Sequence, residues 1–145
     1  MSDPVLIPSG YSAMEVLRDI IVAGTSPAPA NVYMGYEPST DAVTGMVYFL
    51  SDGRASGAEE TLGSIVAVEH EGVDVEVYGA PGDYVSAKLE MRRIRYLIAS
   101  KLGYTAGGLR LLYAKPGPVI SLGRDDLNRA HFMVSFDCMT DGSYV

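Results

Sequence analysis

Residues 130–138 alternate without a break, with Phe132, Val134, Phe136 and Cys138 on one side and His131, Met133, Ser135 and Asp137 on the other. A period of two is that of a strand with one buried face, so Ala130–Cys138 is predicted as a strand. Val73, Val75 and Val77 alternate in the same way with Asp74, Glu76 and Tyr78. With Ser64–Glu69 before them and Glu71-Gly72 as the turn, they predict a hairpin half-buried on one face. Shorter strands are expected at Asn31–Tyr36 and Gly45–Leu50, joined through Ser39-Thr40-Asp41, because tyrosines and bulky residues there are bounded by turn formers. Leu109–Ala114 and Val119–Leu122 read as two more, and the polar turn Gly123–Arg129 leads into the final strand.

Two segments change to a helical period. Ser12-Ala13-Met14-Glu15 has the spacing of a capping box, in which serine and glutamate satisfy each other's free backbone amides. Met14, Leu17 and Ile21 then share a face, and Gly24, Pro27 and Pro29 stop the helix, which spans about 12–23. After the turn Gly79–Asp83, Asp83 is a good N-cap for a longer helix over about 83–102, with Lys101 in its last turn and Gly103 as terminator. Ala87, Met91, Ile94, Ile98 and Leu102 form its apolar stripe. Val85, Leu89 and Tyr96 make a second, flanking stripe that a helix lying on a sheet does not need. The order of one helix, four strands, one helix and three strands predicts an α+β fold, a mostly antiparallel sheet with the two helices packed on it. The stretches Thr25–Ala30 and Gly53–Gly63 read as loops, so residues 1–145 are expected to be a single domain.

Composition agrees: 145 residues at 48% hydrophobic and 20% charged suffice for one core and not for two. Eleven basic against 18 acidic side chains give a net charge of −7, so bulk attraction to a nucleic-acid backbone should be weak. Cys138 is the single cysteine, on the apolar side of the last strand, where it reads as packing; no disulfide within the chain and no zinc spacing is available, which suits a reducing compartment. The start, MSDPVLIPSG, lacks the basic and apolar stretches of an export signal. The charge-free span Ile20–Tyr36 is interrupted by Gly24, Pro27, Pro29 and Asn31, so we expect a soluble protein without a membrane span.

Reaction centres are sparse. No Gly-x-Ser-x-Gly elbow, P-loop or dinucleotide fingerprint is present, and Gly103–Gly108 follows a helix where a phosphate loop would precede one. Asp125, Asp126, His131 and Asp137 are the best candidates for holding a divalent cation. His131 and Asp137, however, lie six residues apart on one strand face, a separation of about 20 Å, and the aspartates suit a turn. Glu69-His70-Glu71 could orient an imidazole as a general base, but beside the expected hairpin turn it reads as solvated surface. No catalytic residue, metal or cofactor is therefore assigned.

The more informative feature is basic. Lys88, Arg92 and Arg95 at i, i+4 and i+7, with Arg93 beside them, stack like charges on the long helix, at a cost of a few tenths of a kcal/mol per pair in isolation. The stripe is either a solvated face or one that meets an acidic surface on a neighbouring subunit. With the second apolar stripe alongside, it makes assembly the default function.

Three stretches together resemble one family. Pro29-Ala30-Asn31-Val32-Tyr33-Met34-Gly35-Tyr36-Glu37-Pro38 is similar to a short tyrosine-containing strand ending in proline. Val75-Glu76-Val77-Tyr78-Gly79-Ala80-Pro81-Gly82-Asp83-Tyr84 resembles a strand running through a glycine-proline turn into the long helix. Ser121-Leu122-Gly123-Arg124-Asp125-Asp126-Leu127-Asn128-Arg129, followed by Phe132 and Phe136, resembles the Gly-Arg-Asp turn before a last strand. The family is the tail-terminator (minor capsid or tail-completion) proteins of long-tailed bacteriophages and gene transfer agents.

The resemblance implies a structural virion protein without enzymatic activity. It would form a homo-oligomeric ring, typically a hexamer, that caps the tail tube, ends tail polymerisation and joins the tail to the head neck. Its partners would be the tail tube protein and a neck or head-completion protein, with DNA passing through the lumen without specific binding. Its place would be the virion tail at the head-tail neck, after assembly in the host cytoplasm. Lys88, Arg92, Arg95, Arg124, Asp125 and Arg129 are the interface candidates. Arg124, Asp125 and Arg129 either pair with complementary groups of a neighbour or lock their own turn. Two alternatives stand beside this reading: another connector component, such as a head-completion adaptor or stopper, and a small metal-dependent nuclease using Asp125, Asp126 and His131.

Overall fold

In the computed structural model, residues 12–26, 29, 31–35, 45–53 and 67–142 are described. Along them run α1 (Ala13–Ala23), β1 (Val32–Met34), β2 (Val47–Gly53), β3 (Ala67–Tyr78), α2 (Tyr84–Ala99), β4 (Thr105–Ala106), β5 (Leu109–Pro116), β6 (Ile120–Arg124) and β7 (Ala130–Gly142). The fold is α+β: two helices and a seven-stranded sheet, antiparallel except where β1 runs parallel to β2. The sheet order is β1-β2-β3-β7-β5-β4, and β6 also pairs with β7. β5 and β6 follow one another along the same edge of β7, so the chain from Leu109 to Arg124 is one interrupted arm of a long hairpin whose other arm is β7. Gly117 in the interruption still donates to the Ser135 carbonyl at 2.7 Å.

Alternation puts the core where the pattern placed it. Val73, Val75 and Val77 of β3 and Phe132, Val134, Phe136 and Cys138 of β7 are buried on one face. That face is covered by Leu17, Ile20 and Ile21 of α1 and by Met91, Ile94 and Ile98 of α2. Burial of such side chains is worth about 1.5–3 kcal/mol each. A smaller cluster of Val47, Phe49 and Tyr78, with Tyr33 against it, lies on the opposite face.

The structure corrects several details. The hairpin expected at Glu71-Gly72 does not exist: β3 runs unbroken through both residues, with Gly72 between Gly53 of β2 and Asp137 of β7. α2 ends at Ala99, not Leu102; Ser100 donates to the Tyr96 carbonyl, and Leu102 is 70% exposed instead of completing the apolar stripe. The glycine-rich turn contains a short strand, β4, that the pattern did not show. Residues Ser39-Thr40-Asp41 and Ser64–Val66 lie outside the described residues.

The helix starts follow from their caps. Ser12 N–H donates to the Glu15 carboxylate at 2.7 Å, and Ala13 N–H to Glu71 of β3 at 3.2 Å. Burial raises the Glu15 pKa, but the hydrogen bonds from Ser12 outweigh it and hold the carboxyl below its ordinary value. At α2, Asp83 accepts from Ser86 N–H at 3.1 Å, the N-cap read from the sequence.

Candidate functional site

α2 buries one stripe and leaves another in solvent: Val85, Leu89 and Tyr96 are 64%, 57% and 77% exposed. Beside them, the first half of α2 forms one wall of an open cleft of about 310 Å³ lined by Tyr84, Lys88, Arg92, Val119, Ser121 and Phe132. Phe132 takes Tyr84 edge-on at 5.3 Å, and the Lys88 ammonium lies 5.8 Å from the centre of the Tyr84 ring. The α2 wall of the cleft is therefore both aromatic and cationic, with Phe132 across from Tyr84. Lys88 and Arg92 are exposed and make no ion pair within the described residues.

The other two members of the basic stripe are engaged within the chain. Arg95 Nε donates to the Gly117 carbonyl at 2.8 Å, tying α2 to the link between β5 and β6 and so holding the two sides of the cleft together. Arg93 meets Glu90 at 2.5 Å and donates to Gly24 O at 2.9 Å and Thr25 Oγ1 at 2.6 Å, which fastens the end of α1 to α2. Glu90 also accepts from the Tyr48 hydroxyl. Burial pushes the Glu90 pKa up, but the bonds from Arg93 and Tyr48 prevail and leave it below its ordinary value. Burial and the neighbouring Glu90 raise that of Tyr48. This Tyr48–Glu90–Arg93 group was not singled out in the sequence, because its members come from β2 and α2.

At the hairpin tip the expected turn is present. Asp125 Oδ1 accepts from Leu127 N–H and Arg129 N–H, both at 2.9 Å, and Asn128 takes a φ of 59°, a left-handed conformation asparagine tolerates. Exposed Arg124 donates to Asn128 Oδ1 at 3.1 Å. Arg129 is different: it is 1% exposed and donates through Nη1 to the carbonyls of Gly45 at 2.8 Å and Gly79 at 2.9 Å. Presentation of Arg129 to a neighbouring subunit is therefore corrected: its guanidinium fastens the starts of β2 and β7 to the end of β3. Arg124 and Asp125 remain at the surface-lying tip beside β6. The five residues of β6 are all exposed, and among the described residues no strand pairs with its second edge.

The remaining candidates for chemistry are dispersed. Among the described residues no three His, Cys, Asp or Glu side chains are grouped to hold a metal ion. His131 meets Glu76 at 2.6 Å and stacks on Tyr78 with ring centres 3.9 Å apart, while Asp125 serves backbone amides. Cys138 is buried, and burial, with Glu71 and Asp137 nearby, pushes its thiol up to about 12. It is kept as the unreactive thiol. His70 and Glu71 are not the solvated surface expected of a hairpin end: both His70 ring nitrogens are buried, its ring stands edge-on to Tyr113, and Glu71 faces the start of α1.

No protein-family model matches the sequence, and no curated protein is found to be similar. A solved structure is similar. It is a chain from the "virion of native gene transfer agent (GTA) particle", with a TM-score of 0.52 and 16% identity, covering 88% of this chain and 85% of that one. The likeness is one of fold, and it extends over nearly the whole of both chains.

Proposed function

We propose that this protein is a structural component of a phage or gene transfer agent virion and, within that class, a tail terminator. The observation that carries the reading is the fold shared with a chain of the gene transfer agent virion over 88% of this sequence. The Gly123-Arg124-Asp125 turn before β7, and the strand that passes through Gly79–Asp83 into α2, support the finer assignment by their resemblance to terminator sequences. In this role the chain works by binding. Copies form a ring, typically of six, that caps the tail tube, ends its polymerisation and presents its other side to a neck or head-completion protein in the virion. Acidic residues toward the lumen let DNA pass by repelling its phosphates, in keeping with the net charge of −7.

The test is native mass spectrometry and negative-stain imaging of the purified chain with and without tail tubes. Rings, or a monomer that becomes a ring on tube ends and halts their growth, are expected. Binding to the head neck with no affinity for tube ends would replace the terminator by an adaptor or stopper. A chain that binds neither would overturn the reading.

A further inference from the structure

β6 pairs with β7 along one side, and among the described residues its other side is open. Edge strands that stay unpaired commonly carry charges, above all lysine, that discourage pairing with another chain. Ile120, Ser121 and Leu122 carry none, and all three are exposed. The irregularity between Ser121 and Arg124 confines regular pairing to this uncharged start of the strand. Val119 and Ser121 line the cleft beneath α2, and Ser121 stands opposite Phe132, so Ile120 between them lies on the other face of the sheet. The Arg95 bond to the Gly117 carbonyl holds α2 over this stretch, which keeps the cleft formed before anything enters it.

We propose that the open side of β6 and the cleft together bind an extended acidic segment of another protein, added to the sheet as a strand. Its backbone pairs with the open side of β6, which supplies affinity, and its side chains alternate between two environments, which supplies selectivity. One set turns toward α2, where Lys88 and Arg92 are exposed and make no ion pair among the described residues. Glutamates suit that set: their carboxylates meet the two cations while their methylene stems lie along Tyr84 and Phe132. The other set lies beside Ile120 and is aliphatic. The occupant is therefore a strand that alternates glutamate with aliphatic residues. A nucleic-acid duplex would satisfy the cations but leave the strand edge and Ile120 without a partner. The inference stands on the cleft and the edge alone and holds whichever component of a virion the chain is.

The experiment titrates the full-length chain into a fluorescent peptide of about seven residues alternating glutamate with valine. Saturable binding is expected, with slowed amide exchange at Ile120–Leu122. Two control peptides should bind about tenfold or more weakly: one with lysine for glutamate, which reverses the charge, and one N-methylated at alternate residues, which keeps the charge and removes backbone donors. K88E/R92E should weaken binding of the glutamate peptide about tenfold or more, while K101E/K115E, an equal change of charge at exposed lysines outside the cleft, should leave it within about twofold. Thermal melts of both variants should match that of the wild type, which separates a lost contact from a lost fold. Equal binding of either control peptide, equal effects of the two variants, or no binding at low salt would overturn the proposal. So would displacement of the peptide by duplex DNA at about 0.15 M salt, which would make the cleft a nucleic-acid seat. An affinity that falls as the chain concentration rises would give the edge to a second copy and overturn it as well. None of these outcomes bears on whether the chain caps tail tubes, which the ring assay decides.

Discussion

A guanidinium at 1% exposure depends on acceptors within the chain, and Arg129 donates through Nη1 to the carbonyls of Gly45 and Gly79. Arg129→Met should cost about 1–3 kcal/mol, because the buried Gly79 carbonyl loses its donor. Arg124→Ala, at an exposed site five residues earlier, should stay within about 0.5 kcal/mol. Urea denaturation of the two variants checks both values. The turn around these arginines was legible in its glycine, aspartates and asparagine. The inward course of Arg129 was not, since its partners are 84 and 50 residues away in sequence. Glu90 allows a pH test. Its folded pKa lies below the ordinary value of 4.5, so its stabilising effect is complete above that value and lost as the pH falls through the lower, folded one. Glu90→Gln should flatten the loss of stability as the pH falls below 4.5, whereas an unchanged slope would assign the acid sensitivity to other carboxylates.

Among the elements, the junction between β3 and α2 leaves no room for a side chain at Gly79. A Cβ on Gly79 would lie 2.6 Å from the Asp83 carbonyl oxygen and 2.8 Å from the Ala87 Cβ, and neither can withdraw without moving the start of α2. Gly79 also donates to Ala130 O and accepts from Arg129. Gly79→Ala is therefore expected to destabilise by about 1–3 kcal/mol, the usual cost of overpacking. Gly45→Ala, with open space around the new carbon, should be nearly neutral in the same thermal melts. The elements themselves were largely visible in the sequence, including both N-caps and the two apolar stripes of α2, because capping and periodicity are local properties. The unbroken β3 was not. Glu71-Gly72 has the composition of a turn, but β3 is paired with β7 along all twelve of its residues and with β2 along seven, and this ladder outweighs a local preference.

For the molecule as a whole, the charge counts were readable from the sequence, but which cations stay exposed was not: Arg93, Arg95 and Arg129 are held within the chain, while Lys88 and Arg92 line the open cleft. That arrangement has a consequence for DNA. A net charge of −7 repels a duplex, while the cationic cleft attracts it, so the free chain should bind duplex DNA weakly and only at low salt. Lys88 and Arg92 are exposed there and make no ion pair among the described residues, and their contribution should add about 2 to the slope of log affinity against log salt. Fluorescence anisotropy with a labelled duplex should therefore show binding by the free chain at low salt that fades as the salt is raised, and K88E/R92E should weaken it. Equal binding by the variant and the wild type would mean that the cations of the cleft do not face the DNA, and that a different surface of the chain makes the contact.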